Sequence, residues 1–239
     1  MMLLALIWTL ILLVTPFPAA AADQQVLFHE DFANLDNWKP ITFPRIMKHS
    51  VYAIENEGDR HVLKTASNAS ASAIVYKESF NVYEYRLLRW RWKVRNIYQK
   101  GDATLKAGDD FPLRIDVMFE YDPKKAGLGE SITHGLARSV YGGDPPISSL
   151  NYVWANKEHP ERIMPCPAMD HVRYILLRKG SSLVGTWQDE TVDIVADYRE
   201  AFRTDPPAKA RIAIMNDSDN TGESSVSWIE YIEVLQLLR

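Results

Sequence analysis

The chain has 239 residues, in which 27 lysines and arginines face 31 aspartates and glutamates, a formal net charge of −4. So small an imbalance, with no basic tail or Lys/Arg block, argues against a nucleic-acid partner held through its phosphates. A single cysteine, Cys166, excludes an internal disulfide, and "MPCPAM" around it offers no His or Asp at catalytic spacing, so it reads as structural.

Residues 3–14 form an apolar run, followed by Thr15, Pro16, Pro18 and the alanines up to Ala22. An apolar core, a helix-breaking segment and a small-residue cleavage site, in that order, predict an export signal over 1–22, cut after Ala20 or Ala22. No Lys or Arg precedes the core. The alternative is an uncleaved anchor, although the run is short against the roughly 20 apolar residues a span requires. Residues 23–239 then make one periplasmic or secreted domain, with no second long apolar run and hence no membrane span after cleavage.

Along the mature chain the dominant period is two. "LLRWRWKVRN" sets Leu88, Trp90, Trp92 and Val94 against Arg89, Arg91, Lys93 and Arg95. "FPLRIDVMFEY" sets Leu113, Ile115, Val117, Phe119 and Tyr121 against Arg114, Asp116, Met118 and Glu120. Alternation of this kind puts one set on a buried face of a pleated strand and the other on the opposite face. Further strands are expected over 26–32, 50–55, 61–65, 72–77, 150–154, 172–178, 210–215 and 227–237, separated by turn signals such as "NEGD", "KGD", "AGDD", "KGSS" and "NDSDNTG". Helical signal is sparse. "DETVDIVADYREAF" spaces Ile194, Tyr198 and Phe202 four apart, a short helix brought to an end by Pro206 and Pro207, and "GESITHGLARSVYGG" has room for another turn or two. About ten short strands with polar loops predict an all-β fold: one antiparallel two-sheet β-sandwich, jelly-roll-like, with one or two short helices.

Three features bear on chemistry. The first is the cationic face of "LLRWRWKVRN". If the next predicted strand is its neighbour, Asp116 and Glu120 supply cross-strand ion pairs; the functional alternative is a face that grips an acidic polysaccharide. The second is a set of strand-end tryptophans. Trp154 in "LNYVWANKEHPE" and Trp187 in "VGTWQDE" lie beside polar loops, where a flat ring can stack on a sugar.

The third is a pair of acidic loops: Asp109 and Asp110 precede one predicted strand, and Asp217, Asp219 and Asn220 follow another. "DSDNTG" has the opening of an EF-hand loop, but Trp228 occupies the twelfth position where a bidentate Glu is needed, and no helices flank it. A hairpin turn explains these residues, with Gly222 supplying positive φ. Should the two loops meet at one end of the sandwich, their mutual repulsion calls for a cation, with calcium held by Asp217 and Asp219, for an arginine such as Arg114, or for a raised pKa.

No nucleophile elbow, zinc-protease, P-loop or dinucleotide motif is present. The motifs "WRWKV", "GDDFPLRIDVMFEY", "LNYVWAN", "DIVADYREAF" and "IAIMNDSDNTG", in that order, resemble the bacterial family known as domain of unknown function 3047, over most of the mature chain. The resemblance implies an exported or envelope-associated protein without an established activity. It marks Asp109, Asp110, Asp217, Asp219 and Asn220 as family features without giving them a role.

The sequence therefore predicts a glycan-binding module with ligand contacts from Asp109, Asp110, Arg114, Trp154, Trp187, Asp217, Asp219 and Asn220. One alternative is a polysaccharide lyase or hydrolase, for which Tyr141, His134 and Arg114 are nominal lyase residues. A second is a structural envelope protein that binds other proteins.

Overall fold

The computed structural model describes residues 25–121 and 146–237. The predicted signal and its cleavage site, the turns of "GESITHGLARSVYGG", His134 and Tyr141 lie outside the described residues. No helix among the described residues is long and apolar enough to cross a membrane.

Two sheets pack face to face. Sheet A runs β12 (Gln188–Asp193), β7 (Leu87–Val94), β14 (Ser224–Leu235), β4 (Arg60–Asn68), β3 (Val51–Glu57), with β1 (Val26–Glu30) also on β14. Sheet B runs β10 (Ile163–Pro165), β11 (Val172–Lys179), β9 (Ser148–Ala155), β8 (Arg114–Phe119), β13 (Lys209–Asp217), β5 (Ala71–Tyr76), β2 (Trp38–Ile41), with β6 (Phe80–Asn81) also on β13. The molecule is thus the expected jelly-roll-like sandwich, with one departure from the antiparallel pattern: β9 and β11 are parallel. After β9 the chain reaches the sheet edge first, as β10, and the β10–β11 antiparallel turn-back seats β11 between β10 and β9.

The core lies between the sheets. Trp90, Trp92, Leu88 and Val94 of β7 face Ile115, Val117 and Phe119 of β8 and Leu150, Tyr152 and Trp154 of β9. Ring pairs join the two layers, Trp90 to Tyr152 at 5.6 Å and Trp92 to Trp154 at 5.8 Å between centroids. Such contacts add about 0.5–1.5 kcal/mol each beyond the area they bury.

The predicted helix begins later than its sequence suggested. Residues 188–193 pair with β7 as an edge strand, where β-branched Thr191 and Val192 suit the pleat. Helix α1 (Ile194–Phe202) starts only after Asp193, whose carboxylate accepts the Ala196 N–H at 3.0 Å as its N-cap. It ends before the prolines, at Arg203, which takes a left-handed conformation and returns its N–H to Arg199 O.

β7 and β8 belong to different sheets, so Asp116 and Glu120 are not the partners of the cationic strand. Those partners come from within sheet A or just beside it. Glu233 lies 3.0 Å from Arg89, Glu230 3.4 Å from Arg91 and Glu57 3.1 Å from Lys93. A charge-paired outer face of this kind contributes little per pair and leaves no free cationic row for an acidic polymer.

Candidate functional site

β8 and β13 are antiparallel neighbours, with Arg114 opposite Met215. Antiparallel pairing places the entrance of one strand beside the exit of the other. The Asp109–Asp110 loop leads into β8, and the Asp217–Asn220 segment leads out of β13, so the two acidic segments meet. The contacts are specific. Asp110 accepts the N–H of Thr221 at 2.6 Å and of Asn220 at 3.4 Å; Asp217 accepts the Phe111 N–H at 3.1 Å. The Asn220 amide donates to Lys106 O and Asp109 O, and the Asn156 amide holds Asp110 O at 2.7 Å.

The second segment is not a hairpin, as its sequence suggested. β13 lies in sheet B and β14 in sheet A, so residues 218–223 arch from one layer to the other. Gly222 does take positive φ, +70°. The reason for the arch is visible at Asn216, which faces between the sheets. Its amide donates to Thr65 and accepts from Tyr98 and Ser225, tying the end of β13 to sheet A.

Asp217 points the other way. Ile212 and Ile214 are in the core, so Ala213, Met215 and Asp217 face outward from sheet B, as do Arg114 and Asp116 of β8 and Ser149, Asn151 and Val153 of β9. In cross-strand register, Tyr174, Asn151, Asp116 and Ala213 form one row, and Val153, Arg114, Met215 and Ala73 the next.

Arg114 is the centre of this face. Its guanidinium reaches Asp217 at 3.2 Å through Nη1 and Asp116 at 3.4 Å through Nε, and Nη2 contacts Met215 Sδ. The Tyr174 hydroxyl donates to Asp109, and the Cys166 thiol lies 3.0 Å from that hydroxyl. Cys166 is buried there as a packing residue, its pKa pushed up by that burial.

Burial outweighs the pull of Arg114 on both aspartates, taking Asp217 up to about 8 and Asp116 to about 6. Burial acts to lower Arg114, but Asp217 and Asp116 overcome it and hold the guanidinium protonated. One fixed positive charge thus compensates one of two carboxylates, and the other keeps its proton well above the usual range. Asp116 Oδ1 is buried and has no hydrogen-bond partner.

The sequence-predicted residues therefore divide into three places. Asp109, Asp110, Arg114, Asp217, Asp219 and Asn220 are together. Trp154 is 0% exposed in the core, its indole N–H on Gly180 O, and offers no face to a sugar. Trp187 lies outside sheet A, where the Lys93 ammonium sits 4.4 Å from its ring, on the opposite side of the sandwich from the acidic cluster. Asp116, Asn151 and Tyr174 were missed. For the first two the signal was a charged or amide residue at some outward positions, Arg114, Asp116 and Asn151, of two strands otherwise mostly apolar; Tyr174 lies on β11 and had none.

Asp110, Asp217 and Asp219 each bring an oxygen within 4.8 Å of the others. Calcium needs six to eight such oxygens. Both oxygens of Asp110 are turned to N–H donors, and those of Asp217 to an N–H and to a guanidinium. The residues do not fit the calcium site expected at Asp217 and Asp219: Arg114 and retained protons meet the repulsion instead. Accordingly, 1 mM calcium in place of EDTA is expected to move the melting temperature by less than about 1 °C. A rise of several degrees in a thermal melt would reinstate the cation.

These features define a two-sheet β-sandwich with a buried arginine–carboxylate cluster on the outward side of one sheet. The chain belongs to the family described as "Protein of unknown function (DUF3047)", whose model matches residues 36–233. No curated protein matches it. Among solved structures it is similar to the family 11 carbohydrate-binding module of the cellulosomal cellulase Lic26A-Cel5E of Clostridium thermocellum (10% identity, 92% of this chain and 98% of that one, TM-score 0.44). It is also similar to a lectin from Bauhinia forficata (11%, 90% and 98%, TM-score 0.45) and to endoglucanase 3 of Trichoderma harzianum, from family GH12 (8%, 91% and 100%, TM-score 0.43). At such identities none of them gives a residue here a role.

Proposed function

We propose that this protein binds glycan on the outward face of sheet B, around Arg114, Asp116 and Asn151, after export directed by residues 1–22. The observation that carries the reading is the unpartnered Oδ1 of Asp116. A buried carboxylate oxygen without a donor is unusual in a folded protein and points to a missing partner. The Asp116 and Arg114 side chains keep 9% and 10% of their surface open, and Asn151 lies beside Asp116 in cross-strand register. Carboxylate, amide and guanidinium groups fixed on strands form the kind of preorganised polar array that hydroxyl-rich ligands require. Export is supported by the apolar run at 3–14 and the alanines that follow it. The lyase alternative loses its arginine, because Arg114 is already shared by two aspartates and cannot neutralise a uronate.

A glycan array probed with the wild type, Asp116→Asn and Trp187→Ala tests this. Loss of a hydrogen bond to a charged group costs about 1.5–3 kcal/mol, so Asp116→Asn is expected to weaken retention at least about tenfold. Trp187→Ala is expected to stay within about twofold of the wild type. Loss in Trp187→Ala with retention in Asp116→Asn would move the site to sheet A and overturn the reading.

A further inference from the structure

We infer that the segment from Thr42 to His49, with the hollow beside it, docks on an anionic lipid surface; the inference is independent of the glycan-binding reading above. Residues 37–54 contain no Asp or Glu, and Lys39, Arg45 and Lys48 all fall among them. In the fold this stretch passes from β2, at the edge of sheet B, to β3, at the edge of sheet A. Arg45 and Lys48 are exposed, and among the described residues neither is ion-paired. The same stretch carries the two most exposed large apolar side chains of the described residues, Met47 at 89% and Val51 at 61%. A single exposed apolar residue is ordinary. Met47, however, is held out by a built support. Phe43 and Ile46 pack inward against Ala71, Ala73 and Met215, and the Ile46 N–H closes a turn on Phe43 O. The Ala71 N–H then donates to Lys48 O at 3.1 Å, which leaves Met47 outermost between two anchored neighbours.

Lys48, His49, Val51, Ser67, Asn68 and Ser70 line a hollow of about 350 Å3 beside this tip. Its floor is already satisfied, since Ser67 is bonded to the Tyr98 hydroxyl at 2.7 Å and Ser70 to Ser50 at 3.2 Å. Its rim is open, with Lys48 and Asn68 both exposed and no carboxylate in the lining. The acids that the strand register brings to this end are engaged elsewhere. Asp217, opposite Ala71, is buried against Arg114, and Glu223 accepts the Gln99 and Lys100 N–H groups. Asp219 has an oxygen within 4.8 Å of Asp110 and Asp217. A bilayer boundary accommodates an apolar tip ringed by cations: Met47 and Val51 enter the acyl margin while Arg45 and Lys48 remain among lipid phosphates, one of which the hollow admits. A soluble anion would use the cations and leave Met47 in water. An apolar protein surface would bury Met47 and leave Arg45 and Lys48 without partners. A lipid surface uses both.

The test is co-sedimentation of the exported chain with two kinds of vesicle: phosphatidylcholine alone, and three parts phosphatidylcholine to one part phosphatidylglycerol. The net charge of −4 opposes capture by the anionic vesicles, so capture requires a local cationic patch. Each cation at such a surface adds about fivefold, and the anionic vesicles are expected to bind at least about tenfold more tightly than the neutral ones, less so as salt is raised. Lys48→Glu is expected to weaken that binding at least about tenfold and Met47→Ser about three- to tenfold. Both side chains are exposed, so the melting temperature is expected to stay within about 1 °C. Lys209→Glu makes the same charge change at the opposite end of β13 from Asp217, and is expected to stay within about twofold of the wild type. Equal binding to both vesicles, binding to neither, or an equal loss in Lys209→Glu would overturn the inference. Anionic binding that Met47→Ser leaves unchanged and glycerol phosphate displaces would replace the lipid surface with a soluble phosphate. Concentration-dependent self-association without vesicles, abolished by Met47→Ser, would replace it with a second copy of this chain.

Discussion

At pH 8 the protein is expected to melt about 6–12 °C below its melting temperature at pH 5. The cause is the pair of aspartates that share Arg114. Burial raises Asp217 from the ordinary carboxylate value of 3.8 to about 8 and Asp116 to about 6. A carboxyl whose pKa is higher in the folded than in the unfolded chain binds more protons when folded. Its stabilising contribution is complete below the unfolded pKa and is lost as pH rises through the folded one. The window therefore runs from about 4 to about 8, with stability falling as pH rises.

At about 1.4 kcal/mol per proton per pH unit, and with the titration spread over two coupled groups, about 3 kcal/mol is at stake between pH 5 and pH 8. For a domain of this size each kcal/mol corresponds to roughly 2–4 °C. Asp217→Asn keeps an oxygen for the Phe111 N–H while removing the charge, and is expected to flatten most of the slope and to raise the melting temperature at pH 8. An ordinary ion pair between Asp217 and Arg114 would give the opposite profile, level from pH 5 to 8 and collapsing below pH 4. Differential scanning calorimetry across that range separates the two.

Arg114→Met should be the most damaging single change on this face at neutral or alkaline pH. Removing one partner of a buried ion cluster leaves charge without compensation and costs about 3–5 kcal/mol, a loss of roughly 6–20 °C at pH 8. At pH 5 both aspartates can take up protons, so the same variant should lose less than about half as much. Adding Asp116→Asn and Asp217→Asn to Arg114→Met is expected to recover most of the stability, since an apolar or neutral replacement of a buried ion cluster is often no worse than the cluster itself. If Arg114→Met were equally harmful at both pH values, the arginine would be acting through its packing against Met215 and not through its charge.

How far this was legible in the sequence can be judged from the same residues. Leu88, Trp90, Trp92 and Val94 announced an inward face by their spacing alone, and Ile194, Tyr198 and Phe202 announced the helix. Alternation assigns faces, however, and not neighbours. It could not say that β7 and β8 lie in different sheets, and so it offered Asp116 and Glu120 as partners for arginines on the far side of the molecule. Nor does it tell whether an outward face is wet. Asp116 read as half of a surface ion pair, yet β8 and β9 are buried on both sides, and that burial raises the carboxyl pKa values against the pull of Arg114.

The meeting of the acidic loops follows from one fact the sequence did not state, the antiparallel pairing of β8 with β13; given that, the contacts of Asp110 and Asp217 follow directly. Trp154 was misplaced because a strand-end ring beside a polar loop looks the same whether it closes the core or faces outward. Asn216 passed unnoticed within "IAIMNDSDN", because a buried amide that ties two sheets has no local signature.

The most direct test of the glycan site is a 1H–15N correlation spectrum followed through titration with whichever glycan the array retains. The amides of Arg114, Ile115, Asp116 and Asn151, with those from Asp217 to Thr221, are expected to move together, while the indole N–H signals of Trp187 and Trp228 stay in place. Movement concentrated at those two indoles, with the β8 and β9 amides unmoved, would put the ligand on the other sheet and contradict the account.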